Sequence, residues 1–166
     1  MRQYDTVDEW LRNRAVKNAM TPWLAQLYPW TCFGTVAPCP SHPLDADRYK
    51  TLFRHWDAKV CHALIGARWQ KVTNDHRPVM AVYFEGGLKS DNLHIHFLVH
   101  VPPQWLPRYG TVVMKVWNGL DQNMAGKRDL QLKPICGTLP DRLRAAGYAM
   151  KNVAGPDNMA GWDFIP

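Results

Sequence analysis

The residues with the clearest capacity for chemistry are two histidines flanking one isoleucine, His94-Ile95-His96, inside the run Asn92–His100. In an extended strand, residues two apart share a face. His94 and His96 therefore project together, and His100 keeps their parity, while Leu93, Ile95, Phe97 and Val99 turn to the opposite side as a core face. Two parallel imidazoles make half of a metal site. Upstream, Val79–Glu85 reads as a strand in which Val82 and Phe84 suit the core, leaving Tyr83 and Glu85 on the histidine face. Gly86-Gly87 and Asp91-Asn92 supply turn residues, so the two strands are expected to form a hairpin that brings Glu85 beside His94 and His96. One carboxylate with two imidazoles suits a divalent cation, Mn²⁺ or Mg²⁺, and the imidazoles favour Mn²⁺.

A second group lies near the C-terminus. Tyr148 and Lys151 are three apart and share a helix face, with Arg144 one turn earlier, while Leu143, Ala146 and Met150 form a side that can pack on a sheet. A tyrosine hydroxyl is a weak nucleophile at neutral pH. A neighbouring cation and a metal-polarised phosphate would compensate for that weakness.

The elements that must position these groups follow from periodicity. Thr6-Val-Asp-Glu9 has capping-box form and predicts a helix running towards Met20 and ending before Pro22. Trp30–Ala37 is aromatic and β-branched, a first strand stopped by prolines 38, 40 and 43. Between Asp45 and Trp69, Tyr49, Leu52, Phe53, Trp56, Val60 and Leu64 recur at helical spacing. Strands at 79–85 and 92–101 follow, then a helical face of Val112, Val113, Val116, Trp117 and Leu120, and a fourth strand at 129–136. Pro140-Asp141 opens a helix to about Asn152 with Asp141 as its N-cap, and the Ala-Gly-Pro-Asp-Asn-Met-Ala-Gly stretch at 154–161 reads as loop.

The expected fold class is α+β, a ferredoxin-like split βαβ (β-α-β-β-α-β). It has a central antiparallel sheet, helices on one face and extra helices at both ends. The other sheet face would be open for a ligand. The expected organisation is a single domain over 1–166, with an N-terminal helical extension (1–29), a core (30–152) and a C-terminal tail (153–166).

Composition agrees with a packed domain: the chain has 166 residues, 46% of them hydrophobic, and eight tryptophans. A formal charge of +6 favours an anionic partner such as nucleic acid. Cys32, Cys39, Cys61 and Cys136 show no paired spacing, which suits free thiols in a reducing compartment. The polar N-terminus has no secretory core and no stretch reaches membrane-spanning length, so no membrane partner is expected.

In the order and spacing of these motifs, roughly over residues 30–152, the chain resembles the HUH endonucleases, and most of all the rolling-circle replication initiators (Rep proteins) with a single catalytic tyrosine. The resemblance rests on His94-Ile-His96, Glu85 upstream and Tyr148-Ala-Met-Lys151, with Trp30–Ala37 loosely matching the first-strand motif. It implies that Glu85, His94 and His96 bind a divalent metal, Mn²⁺ or Mg²⁺. Tyr148 would then attack a phosphate of single-stranded DNA at a replication origin, with Lys151 placing the phosphate or steadying the tyrosinate. The product would be a 5′-phosphotyrosine link and a 3′-hydroxyl for a host DNA polymerase, with a host helicase as a further partner. Arg144, Lys133 and His100 are the candidate DNA contacts. The expected location is a bacterial cytoplasm, or a host nucleus if the source is viral.

The chain departs from the family's larger members in having no GxxxxGK[ST] motif and no room for a helicase domain. A single-tyrosine HUH transposase shares the same chemistry. A non-catalytic RNA- or single-stranded-DNA-binding module shares the scaffold, although histidines stand here where such a module presents aromatic rings.

Overall fold

A computed structural model describes residues 7–37, 46–85, 94–120, 129–150 and 162–165 of the chain. Five segments are extended: β1 (Cys32–Ala37), β2 (Val79–Glu85), β3 (His94–His100), β4 (Asp129–Pro134) and β5 (Trp162–Ile165). They form one sheet in the order β4-β1-β3-β2-β5. Every pairing is antiparallel, so β1 and β2 run parallel to each other with β3 between them. Four helices accompany the sheet among the described residues: α1 (Val7–Leu27), α2 (Ala46–Ile65), α3 (Leu106–Asn118) and α4 (Leu139–Ala149). The α+β class with an antiparallel sheet is as expected. The hairpin turn between β2 and β3, Thr6 and residues 153–161 lie outside the described residues. No helix among the described residues is long and apolar enough to cross a membrane.

Strand parity divides the core into two layers. On one face Val36, Met80, Val82, Ile95, Phe97 and Val99 pack with α2 and α3 through Phe53, Trp56, Val113 and Trp117. Each large side chain buried there contributes about 1.5–3 kcal/mol. On the other face Ala81, Tyr83 and Leu98 pack with α1 and α4 through Leu24, Ala25, Ala146 and Met150. This corrects the expectation of helices on one face only. Ala81 and Leu98 occupy the positions assigned to the open face. Exposing them together with Tyr83 would leave a contiguous apolar patch in water, and α1 and α4 cover it.

Several boundaries also differ from expectation: α2 ends at Ile65, where Gly66 takes a positive φ of 100°, and does not run on towards Trp69. Helix α1 continues through Pro22 to Leu27, although proline removes one backbone donor and crowds the preceding turn. The final turn buries Leu24 and Ala25, and the Trp30 indole donates to the Leu24 carbonyl at 2.6 Å. That bond satisfies one of the carbonyls that a helix end leaves unpaired. At the C-terminus, Trp162–Ile165, within the expected tail (153–166), pairs with β2 as an edge strand, Met80 opposite Ile165 and Tyr83 opposite Trp162.

Gly34 is paired with Phe97, and the Phe97 ring lies over it. A Cβ at position 34 would sit 1.9 Å from Phe97 Cζ. The ring has no room to move, because Phe53 and Trp56 pack against it with centroids 5.7 and 5.4 Å away. Gly34→Ala is therefore expected to destabilise the protein by about 1–3 kcal/mol, lowering the thermal midpoint by several degrees. An unchanged midpoint would contradict this packing.

Asp57 on α2 is buried, with the Cys61 thiol 3.8 Å from both carboxylate oxygens. Burial raises its pKa to about 7, offset in part by Arg77. The folded protein therefore holds a proton that the unfolded chain releases near pH 4. Stability from this group is full below about pH 4 and is lost as pH rises towards 7, by roughly 4 kcal/mol at about 1.4 kcal/mol per unit. Denaturant titrations across this range should show Asp57→Asn losing that slope; equal slopes would contradict the assignment.

Candidate functional site

Antiparallel pairing lines up one row of residues across the sheet. Gln131 on β4 faces Thr35 on β1, Thr35 faces His96 on β3, and His96 faces Tyr83 on β2. One row along the same face, Glu85 and His94 are Cα partners. The expected hairpin pairing thus brings Glu85, His94 and His96 to neighbouring register positions. The side chains of Glu85 and His94, and the whole of Lys151, lie outside the described residues. Among the described residues, no three His, Cys, Asp or Glu side chains gather into a metal-binding group.

His96 is one of two polar side chains buried among the described residues, at 2% exposure. A buried imidazole needs partners for its nitrogens. Thr35 Oγ1 lies 3.0 Å from His96 Nδ1 in a hydrogen bond. Phe33, two residues before Thr35 and so on the same face, stacks on the imidazole at 5.5 Å and 25°. The Tyr148 ring meets the imidazole edge-on at 5.1 Å and 76°. Phe33 and Tyr148 also touch, at 5.5 Å and 89°. Three rings from three elements thus converge on one point of the sheet.

Helix α4 carries Tyr148 to that point. Its N-cap is Thr138, whose Oγ1 accepts from Asp141 N–H at 3.3 Å and donates to Asp141 Oδ2 at 2.6 Å. Asp141, expected as the cap, sits instead in the first turn, where its charge favours the positive end of the helix dipole. Ala146, Ala149 and Met150 face the core. Tyr148, by contrast, is 48% exposed. It borders a groove of about 530 Å³ between α4 and the β1–β4 edge of the sheet.

Lys133 and Arg144 line this groove with Tyr148, as do Thr35 and Gln131. Arg144 forms an exposed pair with Asp141 at 3.3 Å, a weak contact in water. His100 is not brought to the groove. It sits at the C-terminal end of β3 without lining the groove, with Nδ1 3.1 Å from the Pro29 carbonyl and its ring stacked on Tyr28. Two tyrosines adjoin His96, and burial separates them. Tyr83 is buried, which pushes its hydroxyl well above the usual range, and that hydroxyl has no partner among the described residues. Only Tyr148 meets the groove.

Phe33, Thr35 and Gln131 escape a reading that stays within β2 and β3. The signal that finds them is the alternation applied to the histidines, carried to Phe33-Gly-Thr35 once β1 is paired with β3.

The Thr35–His96 bond has a direct test. Thr35→Val keeps the shape and removes the hydroxyl, at a cost of about 1 kcal/mol. The His96 imidazole ¹⁵N resonances should move while the circular dichroism spectrum stays unchanged. An unmoved His96 signal would mean the rings alone orient the imidazole.

In comparisons with known proteins, no family model matches this chain, and no curated protein or solved structure does either.

Proposed function

We propose that this chain is a ferredoxin-like split βαβ domain of the HUH endonuclease type, of the Rep kind, that nicks and joins single-stranded DNA through Tyr148. The observation that carries this reading is the 5.1 Å approach of the Tyr148 ring to His96 at a groove flanked by Lys133 and Arg144. The strand order supports the fold assignment: β3 lies between β1 and β2, β4 lies on the other side of β1, and β5 is an added edge.

Glu85, His94 and His96 would hold a divalent cation, Mn²⁺ or Mg²⁺. Their register supports this. So does the hydroxyl of Thr35 at His96 Nδ1, a bond that would fix the ring in the manner of an outer-shell partner. Bound there, the cation would supply charge to polarise the scissile phosphate.

The chain's own residues do the rest. Lys133 and Arg144 neutralise phosphates along the groove. Phe33 holds the imidazole and the phenol at a fixed separation. Tyr148 gives up its proton and bonds to phosphorus as the bond to the 3′ oxygen breaks; that oxygen takes up a proton and leaves as a hydroxyl. The 5′ side stays on Tyr148 as a phosphodiester. One phosphodiester replaces another, so an incoming 3′-hydroxyl can reverse the step and rejoin DNA. Lys151, three residues on, would place the phosphate or steady the tyrosinate. The free 3′-hydroxyl would serve a host polymerase in rolling-circle replication.

The test is incubation with single-stranded origin-type oligonucleotides and Mn²⁺, followed by a denaturing gel for a covalent adduct. Tyr148→Phe should abolish the band and chelator should suppress it, while Thr35→Val should weaken Mn²⁺ binding about 10–100-fold. A band that persists in Tyr148→Phe would overturn the nucleophile. Cleavage without any adduct would point to attack by water.

A further inference from the structure

The groove at Tyr148 has a direction. Its lining runs from Thr35 and Gln131 in mid-sheet to Pro134, Ile135 and Cys136. Pro134 pairs with Cys32, Cys32 pairs with Val99, and Val79 pairs with His100, so the groove opens at the end of the sheet where β2 begins and β3 finishes. At that same end lie the segment after α2 and the start of α3. This region is basic and aromatic. Arg68, Lys71, His76 and Arg108 are all exposed. Among the described residues none of the four forms an ion pair, and Asp75 is the single carboxylate between Gly66 and Val79.

The surface is also built rather than loose. Arg77 lies over the Trp69 ring at 5.4 Å and its Nε donates to Asn74 Oδ1 at 3.1 Å. The Trp105 indole donates to the His76 carbonyl at 2.9 Å, tying the segment after α2 to the start of α3. Trp69 and Trp105 are half-buried, and Arg108 follows Trp105 by one helical turn. Exposed cations interleaved with half-buried tryptophans are the chemistry that binds single-stranded nucleic acid, with charge on the phosphates and rings under the bases.

We infer that this end of the domain is a second single-stranded DNA surface, centred on Arg68, Lys71 and Arg108, that takes the strand as it leaves the Tyr148 groove. The inference rests on the nicking reading for the path of the strand, but the surface binds whether or not Tyr148 reacts. It makes affinity depend on strand length: a short strand fills the groove alone, and a longer one reaches the basic end.

The experiment compares binding of oligo(dT) of about eight and about thirty nucleotides to the whole chain and to Arg68→Glu/Lys71→Glu/Arg108→Glu, with circular dichroism to check the fold. The long strand should lose about tenfold or more in affinity and its salt slope should fall by about 2, while the short strand binds as before. Unchanged long-strand affinity in the folded variant would overturn the proposal, and so would equal losses for both lengths or a duplex competing as well as the long single strand. If the variant does not fold, Arg68→Gln/Lys71→Gln is measured the same way. Loss of the length effect without any covalent adduct in the wild type would leave this surface standing and remove the nicking reading. An adduct together with unchanged long-strand binding would do the reverse.

Discussion

Everything at the candidate site depends on the register of β3. This strand is central, paired on both sides, and its alternate residues Ile95, Phe97 and Val99 are buried in the aromatic layer beneath α2 and α3. A slip of one residue would turn those side chains out of that layer and drive His96 into it. The cost of that exchange, several buried side chains at about 1.5–3 kcal/mol each, holds His96 on the α4 side. The same register aligns Thr35, Tyr83 and the Glu85–His94 pair with it.

The two faces of the sheet then do different work. One is an apolar layer in which Phe53, Trp56, Phe97 and Trp117 pack edge to face, and Asp57, buried on α2, is held protonated towards neutral pH. The other is built from alanines with Leu24, Trp30, Tyr83, Leu98 and Met150, and it gives way towards β4 to the groove. Small residues on α4 let that helix lie close to α1 and the sheet, which sets the half-exposed Tyr148 against Phe33 and His96. Packing on one face therefore fixes the placement of His96 and Thr35 on the other.

Much of this was legible in the sequence where a pattern is local. Strand β2 falls at 79–85 as read, the apolar stripe of Tyr49, Leu52, Phe53, Trp56, Val60 and Leu64 is the buried face of α2, and the parity of β3 separates Phe97 from His96. What was not legible depended on partners distant in sequence. Pro22 is a stop signal by itself, and only the burial of Leu24 and Ala25 and the Trp30 bond carry the helix past it. Four residues, Trp162–Ile165, have too short a pattern to declare a strand until β2 offers an edge. Ala81 and Leu98 gave a local sign that the histidine face is partly covered, but the helices covering it come from opposite ends of the chain. Phe33 and Thr35 look like any first-strand residues until pairing sets them around His96.

The central claim is that the tyrosine beside His96 is the one that reacts. Trypsin would release residues 145–151, between Arg144 and Lys151, as a peptide whose sole tyrosine is Tyr148. After reaction with a single-stranded oligonucleotide and Mn²⁺, nuclease trimming and tandem mass spectrometry of the digest should find the added nucleotide mass on this peptide, localised to Tyr148. Nucleotide found on any other residue, or on none when the strand has been cut, would contradict the account.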